Sequence, residues 1–506
     1  MPSDGTRSLS AAARARLSSS QPPSAAVSRR GLLRLSAAAS AAAALSGCAA
    51  YASRPAAKAA GVAPATPTPA AGTTTIVFYA KPPNASVSST TIIGIMQEVL
   101  QPYYAKTKGV YVRLIPEELP TSQIVTGILS NQQMDIIYDN YFAPYGQQEL
   151  VVPLEPYFQR DNVDPSIWNT AQYQLYVTHQ GPMAVPVYTG TSVIAVNEKV
   201  FDDAGLPYPD PTWTPGVFAR TCAQLAQPGK RPPVYGGTIF WYTGGPSQQA
   251  SWVFRAFGGN QVSPTGAPSQ LSSPPNQAAL AWMYEDLFWP KVAVPQDVAG
   301  ISQFAAGSAA MIDMDTWELL SFAEGIKGAT AKFDFVPYPV FPNGRATFCT
   351  ADFYAIAANC QHVDAAWDLL RWVSVEPQWQ QATFAYALRS PALNSLWAQW
   401  EATIQSVVPF FKGKNFSWFS DAAQKGYAYP VEYYPYNDQQ VWGLIGPYFS
   451  SLYARRIPTV QEAAAQIDQV VNAFEAAAQG QAGAQANAAK RFPTNGRAIA
   501  TVPSGL

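Results

Sequence analysis

The chain has 506 residues, beyond the size at which one hydrophobic core keeps growing, so two core-bearing lobes are expected. Apolar residues make up 48% and charged residues 13%, which excludes both a disordered chain and a membrane bundle. With 32 basic against 33 acidic residues the formal charge is -1, and no Lys/Arg stripe offers a track for a nucleic-acid backbone.

The N-terminus reads as an address. Ser28-Arg29-Arg30-Gly31-Leu32-Leu33-Arg34 precedes the alanine-rich apolar run from Leu35 to Leu45, with small residues before Cys48. The run is too short to cross a hydrocarbon core, which needs roughly 20 residues. Arg29 and Arg30 resemble the pair of a twin-arginine export signal, and Leu45-Ser46-Gly47-Cys48 looks like a lipobox whose cysteine is acylated. Residues 1–48 are therefore expected to be a signal peptide. Residues 49–72, rich in Ala, Pro and Thr, are expected to be a disordered tether. Cys48 would hold the mature protein on the outer side of the cell membrane, since stable anchoring takes more than one acyl chain.

From Thr73 onward apolar runs alternate with amphipathic segments. Thr74 to Tyr79, Val110 to Ile115 and Met134 to Tyr138 read as strands, with a helical segment from Thr91 to Tyr104 between the first two. That order predicts an α/β fold with a largely parallel sheet, whose ligands sit beyond the carboxyl ends of the strands. Ser273 and Pro274 mark a helix start, and Leu280, Met283, Tyr284, Leu287 and Phe288 share its face. Val363, Trp367, Leu370 and Val373 form a second stripe. Thr459 and Glu462 form a capping box ahead of Val460, Ile467, Val471 and Phe474. Residues 479–506 turn to Ala, Gln, Gly and Asn and are expected to be a mobile tail.

Four cysteines and two histidines show no metal-ligand or CxxC spacing, so no metal is expected. Cys222, Cys349 and Cys360 read as buried free thiols, with one disulfide left open. No nucleophile elbow, phosphate-cradling glycine loop or dinucleotide fingerprint is present, and no cofactor is implied.

Several blocks in order resemble the extracellular solute-binding proteins of carbohydrate ATP-binding-cassette importers, the maltose-binding type. They begin with Thr75-Ile76-Val77-Phe78-Tyr79, Gly109-Val110-Tyr111-Val112, Met134 to Tyr138 and Leu150-Val151-Val152-Pro153-Leu154. The most specific runs from Thr191 through Asn197-Glu198-Lys199-Val200-Phe201 and Ala204-Gly205-Leu206 to Pro211-Thr212-Trp213. Phe304 to Trp317, then Ala365 to Leu370 with Glu376-Pro377-Gln378, complete the series.

The resemblance implies a two-lobed periplasmic-binding-protein-like fold of type II that closes about a hinge. Lobe 1 would comprise 73–190 plus 352–400, and lobe 2 would comprise 191–351 plus 401–478. Gly190 to Val193 and Thr347 to Asp352 would be the crossings. It implies a monomeric receptor, not an enzyme, that passes a sugar to a membrane permease.

A sugar needs aromatic platforms for its C–H faces and polar groups for its hydroxyls. At strand ends of lobe 1 these are Tyr79 and Lys81, then Asn140 and Tyr141. In lobe 2 they are Trp241 and Tyr242, Asp315 and Trp317, with Trp317 where the family sets a tryptophan against the ligand. Asp352 and Phe353, with Tyr433, Tyr434 and Tyr436, complete the set. The other readings are an extracellular hydrolase, with Asp139 and Asp315 as the paired carboxylates such chemistry requires, and a non-transport envelope-binding lipoprotein.

Overall fold

The computed structural model describes residues 72–81, 89–239, 250–263, 267–295, 300–327, 332–434 and 438–491. The expectations for Arg29, Arg30, Cys48, Trp241, Tyr242 and Tyr436 lie outside the described residues.

Among the described residues ten strands build the two five-stranded sheets. In chain order they are β1 (Thr74–Tyr79), β2 (Val110–Ile115), β3 (Ile136–Asp139), β4 (Val185–Pro186), β5 (Ser192–Asn197), β6 (Gly237–Thr238), β7 (Ala293–Val294), β8 (Met311–Asp315), β9 (Phe333–Val336) and β10 (Phe353–Ile356). The first sheet has the order β2-β1-β3-β10-β4 and the second β9-β5-β8-β6-β7. β1 pairs in parallel with β2 and β3, as the alternation of strands and helices predicts, whereas β10 runs antiparallel to β3 and β4. A strand from far along the chain thus closes the first sheet. In the second sheet, β5 lies antiparallel between β8 and β9.

Each sheet buries its own apolar side chains. One cluster joins Val77, Ile124, Ile137 and Phe353, and a larger one joins Ile194, Phe201, Met311 and Val471. Asp135 pins β1: its buried carboxylate accepts the Val77 N–H at 2.8 Å. The second cluster explains the most specific sequence block. Asn197 Nδ2 donates to Phe304 O at 2.9 Å, Phe201 is fully buried, and Trp213 Nε1 donates to Pro337 O at 3.0 Å. Gly205 ends the helix Glu198–Ala204 at φ 66°, a left-handed cap that favours glycine. The block is a packing unit rather than a ligand-binding one.

The helical stripes are core. Leu280, Met283, Tyr284, Leu287 and Phe288 are buried on the helix Pro274–Ala281 and its wider continuation Trp282–Phe288. Ser273 occupies the cap position, but its side chain makes no cap hydrogen bond. Trp367, Leu370 and Val373 are buried on Val363–Ser374. Thr459 Oγ1 accepts the Glu462 N–H at 3.1 Å and caps the last helix, Val460–Arg491. That helix runs through the expected boundary at 479, because alanine and glutamine favour helix however few apolar contacts they bring. The segment expected as one helix from Thr91 to Tyr104 is two, Ser89–Val99 and Gln101–Lys106, with proline in the first turn of the second. Cys222, Cys349 and Cys360 are buried free thiols.

Candidate ligand-binding site

The chain passes between the two sheets at β4–β5 and again ahead of β10, and these passages are bonded to each other. Thr350 N donates to Gly190 O at 3.0 Å, and Gly190 N donates to Thr350 Oγ1 at 2.8 Å. Thr191 and Cys349 form an antiparallel bridge, and Thr347 Oγ1 donates to Ser192 O at 2.6 Å. These are the crossings the sequence places at Gly190 to Val193 and Thr347 to Asp352. A third strand of chain joins them: Thr189 N donates to Pro391 O at 3.1 Å, and Ser390 Oγ to Thr189 O at 2.9 Å. Sequence reasoning missed it, since a short segment after a helix carries no periodic signal.

Gly190 is fixed by close approach. A Cβ there would stand 2.4 Å from Thr350 Cγ2 and 3.0 Å from Trp317 Cε3, so the indole lies directly against the crossing. Trp317 follows β8, is half-buried, and meets Phe348 edge-on at 5.8 Å. It also packs against the second sheet's core while remaining partly exposed.

On the first sheet, the carboxyl ends of β1 and β3 bring together Lys81, Tyr138 and Asp352. The Tyr138 hydroxyl bonds to Asp352 Oδ1, and Lys81 Nζ lies 3.9 Å from the same oxygen and 4.5 Å from the Tyr138 ring centroid. Glu118, beyond β2, accepts from Lys81 Nζ at 2.8 Å. Burial and the nearby Arg389 cation lower the Lys81 ammonium below its usual range, while Asp352 and Glu118 act against that. Tyr188 and Arg389 complete the group, the guanidinium 4.9 Å from the Tyr188 ring centroid. Tyr138, Tyr188, Glu118 and Arg389 were absent from the sequence-based set. The strand-end rule that selects Lys81 would also have selected Glu118.

Beyond β3, Asn140 is exposed and Tyr141 half-buried, held by Asp139. Its carboxylate accepts from the Asn140 N–H at 2.7 Å, the Tyr141 N–H at 3.2 Å and the Tyr145 hydroxyl at 2.6 Å. Burial nonetheless raises the Asp139 carboxyl to about 6. Tyr433 ties this loop to the second sheet's core: its hydroxyl accepts the Phe142 N–H at 3.3 Å and its ring meets Tyr141 edge-on at 5.5 Å. Tyr434 is fully buried, in the second core.

Tyr434 is therefore a core residue, and three further expectations need correction. Phe353 is fully buried among Phe142, Tyr145 and Tyr176, because its strand position points it to the opposite face of the sheet from Tyr354. Tyr79 points to that same buried face, with its hydroxyl accepting from Gln132 Nε2 at 3.4 Å. It borders a separate groove of about 480 Å³ beside Arg113, Glu117 and Gln123, away from Lys81. Asp315 is 2% exposed and bonded to the Ser192 hydroxyl; burial, then the charges of Asp313 and Glu318, push its carboxyl well above the usual range. Among the described residues no cluster of three or more His, Cys, Asp or Glu could hold a metal ion.

Residues 88–378 match the profile of the family described as bacterial extracellular solute-binding protein. The chain belongs to that family. Solved structures share the fold of this solute-binding protein. The sugar-binding protein MalE from Xanthomonas citri is 16% identical, with a TM-score of 0.62 over 80% of this chain and 98% of that one. An ABC substrate-binding protein from Listeria monocytogenes, in complex with cycloalternan, is 17% identical, with a TM-score of 0.62 over 79% of this chain and 99% of that one. The GacH receptor of Streptomyces glaucescens, solved unliganded and with acarbose, is 16% identical at a TM-score of 0.58, covering 79% and 97%. No curated protein matches the sequence. The two-lobed α/β architecture and the role of solute capture are those of the family.

Proposed function

We propose that this protein captures a carbohydrate between its lobes and delivers it to the permease of an ATP-binding-cassette importer, without chemically altering it. The observation that carries the reading is the placement of Trp317, a half-buried indole set against the crossing at Gly190, with Phe348 behind it. Lys81, Asn140 and Tyr141 supply polar and aromatic groups at strand ends of the other sheet. Structures named for sugars and oligosaccharides share the fold, which supports the choice of ligand class. In this reading lobe 1 spans 73–190 plus 352–400 and lobe 2 spans 191–351 plus 401–478. The protein acts as a monomer outside the cell membrane, exported through Arg29 and Arg30 and tethered by lipid at Cys48 along 49–72.

Glycoside hydrolysis is the less favoured chemistry for a specific reason. It requires two carboxyl groups facing the scissile bond. Asp139 is occupied by Tyr145 and two backbone N–H groups, and Asp315 is buried against Ser192. The test is a thermal-shift screen of the purified chain over mono-, di- and oligosaccharides, followed by chromatography of the bound sugar. A stabilising sugar recovered intact supports capture. A sugar recovered cleaved, or a panel without any stabilising member, overturns it.

A further inference from the structure

Beyond β3, three consecutive backbone N–H groups are held by side chains. Those of Asn140 and Tyr141 donate to Asp139 Oδ1 at 2.7 and 3.2 Å, and that of Phe142 donates to the Tyr433 hydroxyl at 3.3 Å. Asp139 adjoins the loop in sequence. Tyr433 arrives from 291 positions beyond Phe142 and meets the Tyr141 ring edge-on at 5.5 Å. It packs against both apolar clusters, a position it shares with Leu175. Its hydroxyl and ring therefore tie a loop of the first sheet to the core of the second.

Tyr433 is firmly mounted on both sides. Glu432 is bonded to Arg255 and accepts the Val262 N–H at 2.7 Å, and the Tyr434 N–H donates to Asp438 Oδ1 at 2.6 Å. Just before them, Ala428–Pro430 pairs in parallel with Thr347–Cys349, which sets Tyr429 beside Phe348. Phe348 is the ring that Trp317 meets edge-on. One pair of short strands at the crossing thus leads to an aromatic contact on each side: Phe348 with Trp317 after β8, and Tyr433 with Tyr141 after β3. The placement of Trp317 relative to Tyr141 is set through that pair rather than within either sheet alone.

Resting on the carbohydrate reading above, in which Trp317 and Tyr141 offer aromatic surface to a sugar, we propose that Tyr433 is a positioning residue. It acts on the sugar through Tyr141, not by touching it. By fixing the Tyr141 ring and the Phe142 amide against the second core, it sets the spacing of the two rings that receive the sugar's C–H faces. A loop ordered before the sugar arrives also removes an ordering cost from binding.

The test has two arms, both on the full chain. In site-resolved hydrogen exchange without sugar, Tyr433→Phe removes only the acceptor of the Phe142 N–H, so that amide should exchange roughly tenfold faster. The amides of Asn140 and Tyr141, still held by Asp139, should change less. Exchange at Phe142 that matches wild type overturns the inference. The second arm is isothermal titration with the most stabilising member of a panel of glucose, galactose, maltose, lactose and maltotriose. Here Tyr433→Phe should weaken binding by roughly twofold to tenfold. Added to Tyr141→Ala, it should weaken binding no further than Tyr141→Ala alone, because its effect runs through that ring. Additive losses would make Tyr433 a separate sugar contact or a general packing residue, and also overturn the inference. If no member of the panel binds, the carbohydrate reading falls, and the exchange arm alone decides whether Tyr433 holds the loop.

Discussion

Trp317 meets Phe348 edge-on, lies close against the chain at Gly190, and is half-buried overall. Truncation to alanine should therefore weaken ligand binding by roughly tenfold to a hundredfold, by analogy with stacked aromatic platforms worth about 1–3 kcal/mol. The apo protein should lose less than the roughly 3–5 kcal/mol of a fully buried aromatic. Calorimetric titration and urea unfolding of Trp317→Ala separate the two roles, and unchanged affinity with a large loss of stability would make it a core residue. Asp139 supplies a pH signature. Its folded-state carboxyl titrates at about 6, against about 3.9 in an unfolded chain. The folded state thus holds the proton more tightly. Its favourable contribution is complete below about pH 4 and is lost as pH rises through about 6. A shift of about two pH units corresponds to roughly 2–3 kcal/mol. The stability of Asp139→Asn relative to wild type should rise by that amount between pH 4 and pH 7, and a pH-independent difference would contradict the assignment. The positions of Lys81 and Asn140 just beyond their strands were legible in the sequence. Phe353 and Tyr79 misled because their neighbours in sequence do not reveal which face of the sheet is covered.

Among the elements, the crossing is where sequence and packing constrain each other most tightly. Gly190→Ala would drive a methyl to 2.4 Å from Thr350 Cγ2, an overpacking that costs about 1–3 kcal/mol. Thr350→Ser removes that methyl while retaining the oxygen that accepts from Gly190 N. The double variant should recover part of the lost stability in chemical denaturation; equal loss in single and double variants would place the strain elsewhere. At the far end of the chain, Thr459→Ala should cost about 1 kcal/mol by removing the acceptor that caps the last helix, and an unchanged unfolding midpoint would show the cap to be dispensable. Helices and the longer strands were legible because their apolar periodicity survives burial, as in Trp367, Leu370 and Val373. The two-residue strands β4, β6 and β7 were not, since two residues hold no period. The segment around Arg389 joins the crossing through contacts with Thr189 and Thr316, which lie far from it in sequence.

For the whole molecule, the proposed anchor and the proposed capture make separate predictions. Cys48→Ala should release the mature protein from membranes into the soluble fraction, because the acyl chains and not the tether at 49–72 would hold it there. Retention of that variant in washed membranes would defeat the lipoprotein reading. No helix among the described residues is long and apolar enough to cross a membrane. The sequence alone determined the α/β class, the core stripes, the likeness in the block from Asn197 to Trp213, and the strand ends where polar groups gather. These follow from local periodicity and from spacing along the chain. Only the tertiary structure decided that β10 closes the first sheet from more than 200 residues away and that a third strand joins the crossing. It also decided that Asp315 is buried and that Lys81 and Arg389 face one cavity. Those facts depend on which distant segments meet, and burial and hydrogen-bond partners are settled at that meeting rather than by any one stretch of chain.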